Sequence, residues 1–284
     1  MTTLLGFILV FALTAAGFLM SGYNPLGIFH LSEILPIGGL MMGCMIIMSP
    51  KDILIAVFKG VRQVPKGIPY KRSDYEELLK CLNELFVLGR RNGMIALEQH
   101  VTEPETSSIL LKYPRIAANT QAVEFLCDSL KPLVDGRLKP DQLEPLLEKS
   151  LGAIDDHLHK PVTVLNKVSD SMPAFGILAA VMGIIITMTK IGQDTRVIGL
   201  GVASALCGTF YGVFLSYAVL SPIAMSLDFI NQSHVGYFNC IKEAVISFAS
   251  GNPPAVATEV ARRMIDEKMR PSSRDLENLL QGAA

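Results

Sequence analysis

"SMPAFGILAAVMGIIITMT", from Ser171 to Thr189, contains no Asp, Glu, Lys, Arg or His. A helix needs about 20 predominantly apolar residues to cross a bilayer core. This stretch therefore reads as a membrane span, and one rich in Gly and Ala. Three other windows read the same way. Leu4 to Met20 lies in a segment without Asp, Glu, Lys or Arg from Met1 to Leu31, and Ile34 to Pro50 is uncharged. Val197 to Leu227 is longer than one crossing requires, so it is expected to tilt or to project beyond the bilayer.

The composition agrees. Of 284 residues, 50% are hydrophobic, and the mean hydropathy is +0.40, too apolar for an ordinary soluble domain. A net charge of −1 gives no reason to expect nucleic acid. Cys44, Cys81, Cys127, Cys207 and Cys240 have no CxxC spacing and are expected to be free thiols. The apolar N-terminus lacks a preceding basic region and a clear small-residue cleavage site. It is expected to be retained as a span.

Basic residues orient the spans. The link from Ser21 to Ser32 has neither Lys nor Arg. Lys51 to Arg72 carries Lys51, Lys59, Arg62, Lys66, Lys71 and Arg72 against Asp52. The two short links are therefore expected outside, with both termini and the central segment cytoplasmic. The expected fold is an all-α integral membrane protein. Residues 1–50 hold spans one and two, 51–170 a helical cytoplasmic domain, 171–227 spans three and four, and 228–284 a helical cytoplasmic tail.

Within the central segment, "SDYE" at Ser73 to Glu76 suggests a capping box. Leu78, Leu79, Leu82, Leu85 and Phe86 follow on one helical face. A second helix is expected near Thr120 to Val134, closed by "DGRLKPD". A third starts near Pro140 and leads into span three, with Pro161 expected to bend it. In the tail, "GNPP" at Gly251 to Pro254 should separate a helix from Phe229 to Ser250 from another reaching about Met269.

Catalytic signatures are missing: there is no Walker loop, GxGxxG, HExxH or GxSxG. Neither an enzyme nor a cofactor is expected. "DDHLH" puts Asp155 and His159 on one helical face, but two ligands do not make a metal site, and a solvated face is the better reading. The span faces show no buried acid or base. Glu33 and Asp170 sit at span ends, where a charge stays wet or snorkels.

The spans do carry small residues in register. Gly201, Ala205, Gly208, Gly212 and Ser216 recur every three or four positions, Gly39 and Gly43 repeat this in span two, and Gly176 and Gly183 share a face of span three. Such stripes permit close helix approach. They serve either packing inside the chain or contact with a foreign helix against spans three and four. Thr209 is a mid-depth hydroxyl that either bonds back to its own helix or lines a wet path. Pro173 and Pro222 are either boundary prolines or flex points.

"DSMPAFGILAAVMG", "GTFYGVFLSYAVLSP", "SGNPPAVATEVARRM" followed by "RPS", "YPRIAAN" and "RRNGMIALE" together resemble the MotA/PomA family of flagellar motor stator proteins, over nearly the whole chain. The resemblance implies a ring of five in the bacterial inner membrane, surrounding two copies of a MotB-type partner with a membrane Asp. On this reading the working carboxyl belongs to another chain. Spans three and four face that partner, and the cytoplasmic part pushes on the rotor protein FliG. By motif, Arg90 and Glu98 match rotor-facing positions, with Arg91 an extra basic neighbour. Pro173 and Pro222 match prolines that couple ion flow to movement. Ala180 stands where sodium-driven relatives carry Thr. An alanine offers no oxygen to hydrated sodium, which implies a proton-driven type with Thr209 as polar lining. The rival readings are an ExbB/TolQ-type ring, usually of three spans, and a self-contained channel or transporter. The latter would normally carry its own intramembrane ionisable residue.

Overall fold

The computed structural model describes residues 2–22, 24, 30–192 and 194–281. Among these residues the fold is all-helical, without strands. Twelve α-helices are described: α1 (Thr2–Met20), α2 (Leu31–Met48), α3 (Lys51–Gln63), α4 (Arg72–Asn92), α5 (Glu98–Thr102), α6 (Pro114–Ala117), α7 (Thr120–Val134), α8 (Pro140–Met188), α9 (Thr195–Phe214), α10 (Ser221–Ala249), α11 (Pro254–Met264) and α12 (Ser273–Gln281). A π-helical turn, Leu215–Leu220, joins α9 to α10. Four helical runs are long and apolar enough to cross a membrane: α1, α2, α8 and the run from Thr195 to Ala249.

The chain forms two compact units, residues 1–67 with 158–230 and residues 68–157 with 231–284. The segments 51–67 and 158–170, expected in the cytoplasmic domain, thus belong to the same unit as the spans.

In the first unit, Met45, Val57, Val64, Val162, Leu165, Val168, Ala224, Leu227 and Ile230 form one core cluster. Ile37, Met172 and Ala179 form a smaller one. The α1 helix lies on α9 through edge-on rings, Phe11 on Phe214 and Phe18 on Phe210, with centroids 5.4 and 5.7 Å apart. Large apolar side chains such as Leu5, Ile47, Ile185 and Leu200 remain exposed. Lipid or neighbouring subunits are the surroundings that suit such faces.

The second unit has its own core. The stripe Leu78, Leu79, Leu82, Leu85 and Phe86 of α4 is fully buried. Phe86 stacks on Phe248 at 4.4 Å and Tyr70 on Tyr237 at 4.2 Å. The Asn119 side chain caps α7 by accepting from the Ala122 N–H at 3.2 Å. Gly251, at φ 87°, ends α10, and Pro254 opens α11. That last helix stops at Met264, short of the expected Met269.

Two local expectations are corrected. The helix begins at Arg72, so Ser73 lies inside its first turn and the "SDYE" box does not form. Instead the Asp74 carboxylate accepts from the Lys71 backbone N–H at 2.6 Å. Glu76 is held by Arg72 at 2.8 Å, which draws it away from the backbone. The other correction concerns Pro173. Helical structure runs from Pro140 through Pro173 to Met188, so Pro173 does not mark a helix start.

Candidate functional site

Spans three and four meet along their small residues. A Cβ added at Gly176 would lie 2.7 Å from the Gly208 carbonyl oxygen and 2.9 Å from the Gly212 Cα. One added at Gly212 would lie 2.6 Å from the Met172 carbonyl oxygen and 2.7 Å from the Gly176 Cα. Gly183 faces Ala205, and Gly201 faces Thr187. Backbones this close leave room for hydrogen only. Gly176, Gly183, Gly201, Ala205, Gly208 and Gly212 are therefore all engaged in packing α8 on α9 within one chain. By contrast, Gly39 and Gly43 of α2 have nothing within 4 Å of a Cβ.

The seam also holds a carboxyl. Glu33 is only 4% exposed. Its Oε1 lies 3.2 Å from where a Gly183 Cβ would be, and its Oε2 3.2 Å from where a Gly208 Cβ would be. The Ser204 hydroxyl donates to Oε1 at 3.3 Å. This corrects the expectation that the spans bury no acid and that Glu33 stays wet. Leu31 already lies in α2, which places Glu33 on the first helical turn. The two glycines then provide the space its side chain fills. Position at a window's edge concealed it; the only sequence hint was the pair of glycines on spans three and four.

Ala180 is buried, and its backbone nitrogen lies 3.2 Å from the same Gly208 Cβ position that Glu33 approaches. Thr209 follows Gly208 and donates back to the Leu206 carbonyl of its own helix at 2.8 Å. The residues expected on an ion path, Ala180 and Thr209, thus adjoin one glycine, which Glu33 also approaches.

Towards the other end of the seam, Pro173 deprives the Ser169 carbonyl of its usual donor four residues on. Ser216 supplies a substitute: its hydroxyl donates to the Ser169 carbonyl at 2.7 Å. In return the Ser169 hydroxyl donates to the Ser216 carbonyl at 3.1 Å. Both serines are buried. Ser216 lies in the π turn, where the Ser221 N–H reaches back to the Ser216 carbonyl. Pro222, the second residue of α10, directly follows this widened turn. Wide turns of this kind are frequent at functional sites.

In the second unit, Arg90 and Arg91 are exposed in the last turn of α4, and Glu98 is exposed at the start of α5. Cations at a helix C-terminus and an acid at an N-terminus suit the helix dipoles. The corner between them is closed by Leu97, whose Cδ1 lies 2.9 Å from where a Gly89 Cβ would be. His159 pairs with Asp228 at 3.3 Å rather than with Asp155, and no metal-holding group of three occurs among the described residues. Burial pushes the Cys127 thiol up to about 11, which does not suit a nucleophile.

Residues 4–93 match the family model described as "Motility protein A N-terminal", and residues 117–238 match that of the "MotA/TolQ/ExbB proton channel family". The chain is 32% identical to "Chemotaxis protein LafT" of Vibrio parahaemolyticus, over 99% of this chain and 98% of that protein. It is 30% identical to "Motility protein A" of Salmonella typhimurium, over 98% of this chain and 94% of the relative. Among solved structures, "Structure of C. jejuni MotAB" superposes with a TM-score of 0.78 at 23% identity, covering 96% of this chain and 98% of that one. The Bacillus subtilis flagellar MotAB stator complex gives 0.72 at 23% identity, over 90% and 92%. At this identity the superpositions speak for the fold.

Proposed function

The chain belongs to the MotA/TolQ/ExbB proton channel family, and on that footing we propose that it is the ring subunit of a flagellar stator. Five copies surround two copies of a MotB-type partner in the bacterial inner membrane, with both termini of this chain cytoplasmic. Protons pass Ala180 and Thr209 to the partner's membrane Asp. Arg90, Arg91 and Glu98 push on the rotor protein FliG. The supporting observation is similarity along virtually the whole chain to a chemotaxis protein and to motility protein A. The N-terminal match, residues 4–93, favours the flagellar branch over an ExbB/TolQ ring.

The energetics are adequate. One proton crossing the membrane contributes about 2.3 kcal/mol per 100 mV. Neutralising a carboxylate in an apolar groove removes a large desolvation penalty, so the groove can prefer one placement of the partner helix before protonation and another after it. Pro173 and Pro222 are where the spans accommodate that difference.

Glu33 supports one rival, a self-contained channel, because this chain carries a buried carboxyl of its own. Proteoliposomes separate the two. With the partner co-reconstituted, an imposed potential is expected to drive proton uptake; with this chain alone, uptake should stay at the lipid background. Flux through the chain alone would refute the stator reading.

A further inference from the structure

We infer that Glu33 is a proton-exchanging carboxyl on this chain, a relay between the side of the membrane holding the short links and the Gly208 region of the seam. The inference rests on the stator reading and adds to it a second carboxyl, beside the partner's.

Three observations converge. A carboxylate removed from water costs several kcal/mol unless a proton or cation neutralises it. Glu33 is nonetheless inserted between α8 and α9, 96% buried by its 4% exposure. The glycines at 183 and 208 leave the space that its two oxygens approach. Oε2 borders the Gly208 position that the Ala180 backbone nitrogen also borders, and Thr209 follows Gly208 in sequence. Ionisable groups kept inside a membrane span by default mark ion or proton routes.

Among the described residues, no ion pair accounts for the placement. On α8, Ser171 to Thr189 has no titratable side chain. On α9, the Ser204 hydroxyl donates to the carboxylate. On α2 itself, His30 precedes Glu33 by three positions, at the N-cap. None of these is a cation fixed on the carboxylate. The step balances simply. The carboxylate takes a proton from water on the short-link side and becomes a carboxyl. It then returns that proton to water or to the partner's carboxylate deeper in the groove, regenerating the anion. No electrons are exchanged.

The test uses the full complex of this chain with its partner in proteoliposomes. Glu33→Gln keeps the size of the side chain and a carbonyl to accept from Ser204, but cannot exchange a proton. It should assemble and co-purify normally, while proton flux falls at least about tenfold. The residual flux should lose its dependence on pH on the short-link side, and Glu33→Asp should recover part of both. A Gln variant with unchanged flux and an unchanged pH profile overturns the inference. If Glu33→Gln fails to assemble, Ser204→Ala decides, because it removes the donor and leaves the carboxyl. A shifted pH profile in that variant supports the relay, and an unshifted one refutes it. Absence of flux from the unaltered complex would instead refute the stator reading, so the two failures are distinct.

Discussion

Pro173 cannot donate to the Ser169 carbonyl, and Ser216 of the neighbouring span does so instead. A buried carbonyl without a donor costs about 1–3 kcal/mol. Ser216→Ala should therefore lower the thermal stability of the detergent-solubilised protein by that order. Pro173→Ala restores an N–H within α8, so the same serine replacement should cost clearly less in that background. A double-mutant cycle of melting temperatures checks this, and strictly additive effects would break the link between the proline and the serine. Ser169 and Ser216 lie 47 positions apart, and nothing in the sequence points from one to the other. Only the pairing of α8 with the π turn brings them together.

Helices were the most legible elements, and for plain reasons. Four charge-free windows became the four candidate spans, and the Leu78-to-Phe86 stripe became the buried face of α4. Helix ends were less readable. At Ser73 the local pattern was sound, but Arg72 draws Glu76 into an ion pair and the helix starts earlier. The small-residue stripes were visible too, yet which surface they meet is tertiary information. At Glu33, wet and buried placements differ only by what α8 and α9 put around the side chain, which the sequence does not display.

The short helix α11 carries a pH signature of its own. Glu259 is held well below the usual carboxylate value of 4.5, at about 2, chiefly by hydrogen bonds from Arg262, with Arg263 adding and partial burial opposing. Arg262 also donates to the Pro271 carbonyl at 2.8 Å, tying the helix to the chain that follows. The folded value lies below the unfolded one. This contribution is therefore complete above pH 4.5 and is lost as pH falls through about 2. Glu259→Gln should remove that part of the acid dependence, read by far-ultraviolet circular dichroism during acid titration of the solubilised protein. An unaltered acid limb would show that the ion pair does not contribute.

At the scale of the whole molecule, the arrangement of basic residues should fix which side each link occupies. In a cysteine-free background, Lys190→Cys should react with an impermeant maleimide added outside intact cells. Arg91→Cys should react only after permeabilisation. The reverse pattern would invert the proposed topology, and with it the side from which protons reach Glu33.

Gly176 and Gly212 face each other with no space for one more carbon on either. Enlargement at one position is survivable only through withdrawal of the backbone opposite, and neither residue has anything left to give up. Heredity can thus alter them only in concert, and two codons far apart in the reading frame behave as a single locus.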